Sequence, residues 1–169
     1  MKGPGQAGPA RIISGGQTGA DRAALDAAIA LGIPCGGWCP QGGWAEDLPD
    51  PPGLLADYPD LRETPSEKPA QRTGWNVRDS DATLILAPSN AIPSPGTNLT
   101  VRTAAELKRP LARIDPLGSN ARSEASAFID ALPPNATLNI AGTRESEAPG
   151  CYEASSTLLI AILRPLTTR

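Results

Sequence analysis

The sequence contains no histidine among its 169 residues. This absence excludes imidazole general bases, Ser-His-Asp triads and histidine metal ligands, so any catalysis would depend on carboxylate, cysteine, tyrosine or lysine side chains. Aromatic residues are also scarce, at 4% of the chain, and the core must therefore be built from alanine, leucine, isoleucine and valine.

Cysteine is limited to Cys35, Cys39 and Cys151. An odd number of cysteines is typical of reduced cytoplasmic thiols rather than of a disulfide framework. Because the chain has no histidine and no second cysteine pair, the spacing of Cys35 and Cys39 does not predict a zinc site.

Charge and hydropathy argue against two classes of partner. The chain has 15 Lys and Arg against 18 Asp and Glu, with no basic block of the kind that binds nucleic acid. No apolar run approaches the roughly 20 residues of a membrane helix, and residues 1–10 lack the apolar region of a signal peptide. The sequence therefore predicts a cytoplasmic protein that binds neither nucleic acid nor a membrane.

Strand-like and helix-like segments alternate along the chain. Short apolar runs predict strands at 11–14, 33–36, 82–87, 111–114 and 136–141. Segments with helical spacing of apolar residues predict helices at 21–31, 68–78, 99–108, 123–132 and 151–163. This alternation predicts an α/β fold: a doubly wound parallel sheet of five or six strands with helices on both faces. We expect a flexible segment at 1–10 and one domain at 11–169.

A segment rich in proline, glycine and aspartate, residues 37–69, interrupts this alternation. It predicts a long surface excursion with at most one helical turn, around 54–58. Loops of this length are uncommon inside compact domains and are often functional. Trp38 and Trp44 lie in it, and a planar ring of a ligand could stack on one of these indoles. The alternative is that both tryptophans anchor the loop or an oligomer contact.

The strongest functional signal is the glycine-rich turn between the first strand and the first helix. Gly15 and Gly16 end the apolar run, and Gly19 precedes an alanine-rich segment. Backbone amides at such a turn and helix start favour an anion. The turn lacks the G-x-G-x-x-G spacing of dinucleotide-binding folds and the Gly-Lys-Ser/Thr of a P-loop, so it predicts phosphate binding of another kind.

Two further turns, at 93–98 and 142–146, follow later strands. They would form the other walls of the same pocket, since ligands of such sheets bind outside the carboxyl ends of the strands. Polar residues on the helix at 68–78, with Arg72 and Asn76 on one face, add donors nearby. The predicted anion site comprises Gly15, Gly16, Gln17, Thr18, Gly19, Ala20, Asp21, Arg22, Asn76, Arg78, Gly96, Thr97, Asn98, Arg144 and Ser146.

Five segments in combination resemble the molybdenum carrier family, which includes the molybdenum cofactor carrier proteins: Ile13–Asp21, Gly37–Pro40, Arg72–Asp81, Gly96–Thr97 and Gly142–Ser146. The resemblance runs from about residue 11 to residue 163. It implies a Rossmann-like fold of three layers, a homodimer or homotetramer, and binding of the molybdenum cofactor, a phosphorylated pterin whose dithiolene holds the metal. Molybdoenzymes or cofactor-insertion proteins would be its partners.

The resemblance also places the chain near the lysine-decarboxylase-like, or Lonely Guy, phosphoribohydrolases. Their motif, Pro-Gly-Gly-x-Gly-Thr followed by a glutamate, is matched here by Pro95-Gly96-Thr97, but Asn98-Leu99-Thr100 brings no acid. The phosphate-binding part is kept and the catalytic carboxylate is missing, so the sequence favours a binding protein over an enzyme.

Two alternatives remain open at the level of sequence. The chain could bind or hydrolyse nucleoside monophosphates, with a catalytic carboxylate supplied by Asp21, Asp79, Asp81, Glu106 or Glu145. It could instead bind a bare oxyanion such as molybdate. A small phosphorylated ligand is expected because backbone amides at helix starts are general phosphate binders.

Overall fold

The computed structural model describes residues 8–167, which form six strands and six α-helices. The strands are β1 (Arg11–Ile13), β2 (Cys35–Cys39), β3 (Leu61–Glu63), β4 (Ala82–Leu86), β5 (Leu111–Ile114) and β6 (Thr137–Gly142). The helices are α1 (Ala20–Ala30), α2 (Leu54–Asp57), α3 (Pro69–Arg78), α4 (Pro95–Glu106), α5 (Ala121–Asp130) and α6 (Cys151–Thr167). A short 3-10 turn covers Gln41–Gly43.

The six strands form one sheet in the order β3-β2-β1-β6-β4-β5, and every neighbouring pair is parallel. The last strand, β6, is inserted between β1 and β4. Ile13 of β1 and Thr83 of β4 both pair with Asn139 of β6. The carboxyl ends of β1, β6 and β4 therefore meet side by side, at the place where such sheets bind ligands.

Helices cover both faces of the sheet, as the sequence predicts. Alternate strand residues, such as Ile12 and Leu138, pack with α1, α5 and α6 in the main hydrophobic core. On the opposite face α3 and α4 pack against each other. The domain thus has three layers, α/β/α, and its core is built from small and aliphatic side chains.

The predicted strand at 33–36 begins two residues too early and ends three residues too early. The interpretation of 37–69 as a segment without strands is wrong. β2 continues to Cys39, and β3 pairs with it through Gly37 and Leu61. Leu61 is buried while Arg62 and Glu63 are exposed, so this three-residue edge strand has too little periodicity to be recognised. The single helical turn expected near 54–58 is present as α2.

The predicted start of the third long helix, at residue 99, is also wrong. α4 begins at Pro95, because proline is well suited to the first position of a helix, where its fixed φ angle is helical and no N–H is needed. Gly96 and Thr97 therefore lie in the first turn of the helix rather than in a loop before it.

Most of the segment 1–10, for which flexibility is predicted, lies outside the described residues. Within residues 8–167, no helix is both long and apolar enough to span a bilayer.

Candidate functional site

A cavity of about 300 Å³ opens at the carboxyl edge of the sheet, between β4, β6, α3 and α4. Its walls come from the first glycine loop, from the strand ends and from the two helices of one face. The lining residues are Gln17, Asp21, Pro69, Ala70, Arg72, Thr73, Ile85, Ser94, Pro95, Gly96, Thr97, Leu99, Thr100, Ala141, Gly142 and Arg144.

The first turn of α4 brings hydrogen-bond donors to the wall of this cavity. The first helical hydrogen bond runs from the amide of Asn98 to the carbonyl of Ser94, at 3.0 Å. The amides of Gly96 and Thr97 precede that bond and have no acceptor within the helix. The Thr97 hydroxyl is buried and, within the described residues, has no hydrogen-bond partner. Together these groups form a site with spare donors at the positive end of a helix dipole.

Arg72 of α3 forms the opposite wall. Its Nη1 lies 3.3 Å from Oδ2 of Asp21, and both side chains are almost fully buried. Its Nε is buried without a hydrogen-bond partner among residues 8–167. Arg72 therefore carries a positive charge at the cavity and at least one unused donor.

Asp21 is held by the backbone as well as by Arg72. Its Oδ1 accepts the N–H of Gly142 at 3.2 Å, and Oδ2 accepts the N–H of Gln17 at 3.4 Å. Burial raises the pKa of the Asp21 carboxyl above its usual value, and the charge of Arg72 and the two amides offset this only in part. The pair therefore links the first glycine loop, α3 and the end of β6 at the cavity.

Gly15 makes this arrangement sterically possible. A Cβ at residue 15 would lie 2.1 Å from Nη1 of Arg72 and 2.9 Å from Oδ2 of Asp21. The glycine is needed because the buried ion pair lies against the backbone at this point.

Two further amides of the first loop are engaged within the protein. The N–H of Thr18 donates to Oε1 of Gln17 at 3.1 Å, and the N–H of Ala20 donates to the carbonyl of Thr143 at 3.1 Å. Gly16 packs against Leu54, with a positive φ of 72°. The side of the loop that carries Thr18 is therefore turned towards other parts of the protein.

Glu46 lies at the edge of the site, between the first glycine loop, which contains Thr18, and the turn after β6, which contains Ser146. Its carboxylate accepts hydrogen bonds from the hydroxyls of Thr18 and Ser146, the latter at 2.6 Å, and from the N–H of Ser146 at 3.3 Å. Partial burial acts to raise the pKa of Glu46, but these hydrogen bonds outweigh it and hold the pKa below its usual value. The hydroxyls of Thr18 and Ser146 thus donate to the carboxylate of Glu46 and not to a ligand.

Two of the predicted arginines differ in their relation to the cavity. Arg22 forms two hydrogen bonds with the carboxylate of Asp47, at 2.9 and 3.0 Å, and does not line the cavity. Arg144 does line the cavity, and its guanidinium lies 5.9 Å from the centre of the Trp44 ring.

Asn76, Arg78 and Asn98 lie outside the cavity lining. The Asn76 amide makes two hydrogen bonds with the backbone of Trp38, at 2.8 and 2.9 Å, and so fastens β2 to α3. Arg78 is exposed and pairs with Asp79 at 2.7 Å. Asn98 is exposed on α4.

Of the five carboxylates considered for hydrolysis, Asp21 is the one that lines the cavity. Asp79 accepts the indole N–H of Trp38 at 2.7 Å, and Asp81 accepts the amide of Thr137 at 2.8 Å. Glu145 accepts the amide of Tyr152 at 2.8 Å near the start of α6, and Glu106 is paired with Arg102 on the surface at 3.9 Å.

The structure therefore brings Gln17, Asp21, Gly96, Thr97 and Arg144 together and places the other predicted site residues around or behind them. Sequence reasoning assigned Arg72 only a supporting position and missed Thr73 and Thr100. Thr100 follows Thr97 by about one helical turn and so lies on the same face of α4. This spacing would have predicted Thr100 as a lining residue if the helix had been predicted to begin at Pro95.

All three cysteines lie within the described residues and form no disulfide. Burial raises the pKa of Cys39 to about 11. Residues 8–167 bring together no cluster of three or more cysteine, aspartate or glutamate side chains that could hold a metal ion.

Residues 12–163 match the model of the circularly permutated YpsA SLOG family. The chain belongs to this family. The strand order agrees with a circular permutation. If the chain started at the central strand β6, the next strands, β1, β2 and β3, would follow one another towards one edge of the sheet. The remaining strands, β4 and β5, would then follow towards the other edge.

A crystal structure of a putative molybdenum carrier protein from Syntrophus aciditrophicus resembles this chain closely. The two are 40% identical, with a TM-score of 0.79, over 93% of this chain and 96% of the other. No curated protein matches the chain. The circularly permutated YpsA SLOG protein described here thus shares both fold and much of its sequence with a protein named as a molybdenum carrier.

Proposed function

We propose that this chain binds the molybdenum cofactor as cargo and holds the cofactor's phosphate in the cavity between α3 and α4. The name of the Syntrophus protein, 40% identical to this chain, supports molybdenum as part of the ligand. The chemistry of the cavity supports the phosphate.

The observation that carries this proposal is the set of unsatisfied donors around the cavity. Two of the three side-chain atoms that are buried without a partner in residues 8–167, Nε of Arg72 and the hydroxyl of Thr97, belong to residues that line it. An unsatisfied buried polar group costs about 1–3 kcal/mol, so a ligand that accepts these hydrogen bonds would be favoured. A phosphate is such a ligand, since at neutral pH it is rich in acceptors and negatively charged.

The rest of the lining is compatible with a phosphate. Arg72 neutralises the carboxylate of Asp21, so that carboxylate does not present an uncompensated negative charge to an anion. The first amides of α4 add helix-terminal donors. A volume of about 300 Å³ accommodates a phosphate and a part of the group that bears it.

The test is calorimetric titration of the protein with hydroxymethylpterin phosphate, inorganic phosphate and molybdate. Thr97→Val removes the unpartnered hydroxyl and keeps the shape of the side chain. A hydrogen bond to a charged group is worth about 1.5–3 kcal/mol, so phosphate-bearing ligands should bind about tenfold to a hundredfold more weakly. The matched control is Thr103→Val on the same helix, outside the cavity lining, which should bind as the wild type does.

Equal binding by the Thr97→Val and wild-type proteins would refute the proposed site. Tight binding of molybdate without binding of the phosphorylated pterin would instead identify an oxyanion-binding protein.

A second candidate function rests on Asp21, whose carboxyl lies in the cavity and has a raised pKa. It could assist hydrolysis of a nucleoside monophosphate, in which water replaces the base at the sugar and yields ribose 5-phosphate. Incubation with a panel of nucleotides, followed by chromatography for the released base, tests this function. Release above trace levels, abolished by Asp21→Asn, would favour the enzyme over the carrier.

A further inference from the structure

A second, open groove lies beside the cavity, on the segment that precedes α3. Its volume is about 410 Å³, and it is lined chiefly by Gln41, Trp44, Pro49, Pro51, Glu67 and Pro69. We call it the Trp44 groove. An indole and three proline rings give it flat apolar walls, while Gln41 and Glu67 supply polar groups.

The Trp44 groove lies next to the cavity, and Pro69 lines both. Arg144 lines the cavity and places its guanidinium 5.9 Å from the centre of the Trp44 ring. A ligand with its anionic end in the cavity would therefore extend its other end towards Trp44.

Trp44 differs from the other two tryptophans in making no contact with another aromatic ring within the described residues. Trp38 donates its indole N–H to Asp79 at 2.7 Å and packs edge-on against Trp75, with ring centres 4.8 Å apart. The indole N–H of Trp44 makes no hydrogen bond within the described residues, and its side chain is partly exposed. A partly exposed indole with an unused donor is suited to contact a planar ligand.

We infer that the Trp44 groove binds the planar heterocycle of the same ligand whose phosphate occupies the cavity, with the ring stacked on Trp44. This inference rests on the proposed function and adds the place of the ring and the residues that contact it. Glu67 is exposed in the groove and forms no hydrogen bond or ion pair within residues 8–167. A carboxylate accepts two adjacent N–H donors, which a pterin or a guanine presents along one edge and an adenine does not.

The experiment compares hydroxymethylpterin phosphate, AMP and inorganic phosphate by calorimetric titration. Aromatic stacking on a base-like ring typically changes affinity by about tenfold or more. The wild type should bind the pterin phosphate at least about tenfold more tightly than inorganic phosphate. Trp44→Ala should remove that difference and leave the affinity for inorganic phosphate unchanged. Glu67→Gln should reduce the preference for the pterin phosphate over AMP.

A second measurement uses the small number of tryptophans. In a Trp38→Phe, Trp75→Phe variant, Trp44 is the remaining tryptophan of the chain. Bound pterin phosphate should quench its fluorescence, and inorganic phosphate should not.

The two variants separate failure of this inference from failure of the proposed function. If Thr97→Val weakens binding but Trp44→Ala leaves the affinity for the pterin phosphate unchanged, the phosphate site stands and the ring site is refuted. If Trp44→Ala weakens binding and Thr97→Val does not, the ring site stands and the phosphate has been placed wrongly. Quenching that is equal for the pterin phosphate and inorganic phosphate would also contradict stacking on Trp44.

Discussion

At the scale of single residues, the cavity depends on a buried ion pair fitted against a glycine. Arg72 and Asp21 neutralise each other at 3.3 Å, and Gly15 leaves the room that the guanidinium occupies. Buried ion pairs of this kind are weak contributors to stability, but removing one partner is costly. We therefore infer that the main effect of the pair is to hold the guanidinium of Arg72 in place at the cavity.

The first prediction compares two Gly→Ala substitutions. Gly15→Ala puts a Cβ 2.1 Å from Nη1 of Arg72 and must displace the guanidinium. Overpacking of this kind costs typically about 1–3 kcal/mol, and phosphate-bearing ligands should bind at least about tenfold more weakly. Urea denaturation and calorimetric titration measure the two effects.

Gly74→Ala is the matched control for that prediction. A Cβ at this position within α3 meets nothing within 4 Å. Replacing a glycine inside a helix by alanine should stabilise the protein by about 0.5–1 kcal/mol and leave binding unchanged. A Gly15→Ala protein that binds ligand as tightly as Gly74→Ala would contradict the role assigned to Arg72.

At the scale of elements, residues 40–58 form a cover over the first glycine loop. Glu46 binds the hydroxyls of Thr18 and Ser146, Asp47 binds Arg22, and Leu54 packs under Gly16. This covering segment depends on carboxylates, so acid should loosen it.

The second prediction concerns that response to pH. The pKa of Glu46 is held below its ordinary value of 4.5. A carboxyl whose pKa is lowered in the folded state stabilises the protein above the unfolded-state pKa, and that contribution is lost as the pH falls through the folded-state pKa. The difference in unfolding free energy between the wild type and Glu46→Gln should therefore be largest near pH 7 and shrink below about pH 4. Urea denaturation across this range measures it.

Glu124→Gln, on the exposed side of α5, is the control and should differ from the wild type by no more than about 0.5 kcal/mol at neutral pH. A difference between the wild type and Glu46→Gln that does not change with pH would show that Glu46 does not hold the segment in place.

The same elements show what could be predicted from the sequence. The strand, glycine turn and helix at 11–30 were predictable because an apolar run, a glycine pair and helical spacing indicate the same unit. The internal use of Thr18 and Ser146 was not predictable, because their partner, Glu46, lies in a segment without periodicity. The cavity wall of α4 was missed in part because Pro95 was interpreted as a turn residue rather than as the first residue of a helix.

At the scale of the whole molecule, the permuted strand order places the last strand at the centre of the sheet. β6 therefore contributes Ala141 and Gly142 to a cavity whose other walls come from much earlier segments. The cavity therefore needs β6 in place, since β6 joins the two halves of the sheet.

The third prediction concerns assembly. Ile92, Val101 and Leu107, in α4 or next to its ends, are 67%, 41% and 44% exposed. Exposed apolar side chains along one element favour an interface, and soluble oligomers are mostly symmetric, so we expect a homodimer or homotetramer. Light scattering at micromolar concentration should show it, and Val101→Asp should shift the protein towards the monomer.

Leu117→Asp, at a site 73% exposed outside α4 and its flanks, is the control and should leave the assembly intact. A monomeric wild type would contradict the prediction. Dissociation by Leu117→Asp alone would place the interface on another face.

The most direct test of the central claim is a transfer experiment. The molybdenum cofactor is released anaerobically from a molybdoenzyme, incubated with this protein, and then offered to a cofactor-free molybdoenzyme whose recovered activity is measured. The wild type should protect and deliver the cofactor as a known carrier does. Arg72→Lys, which keeps the charge but lacks Nε, should do so much less well. If the wild type gives no more recovered activity than an unrelated protein, while the known carrier succeeds, the account is contradicted.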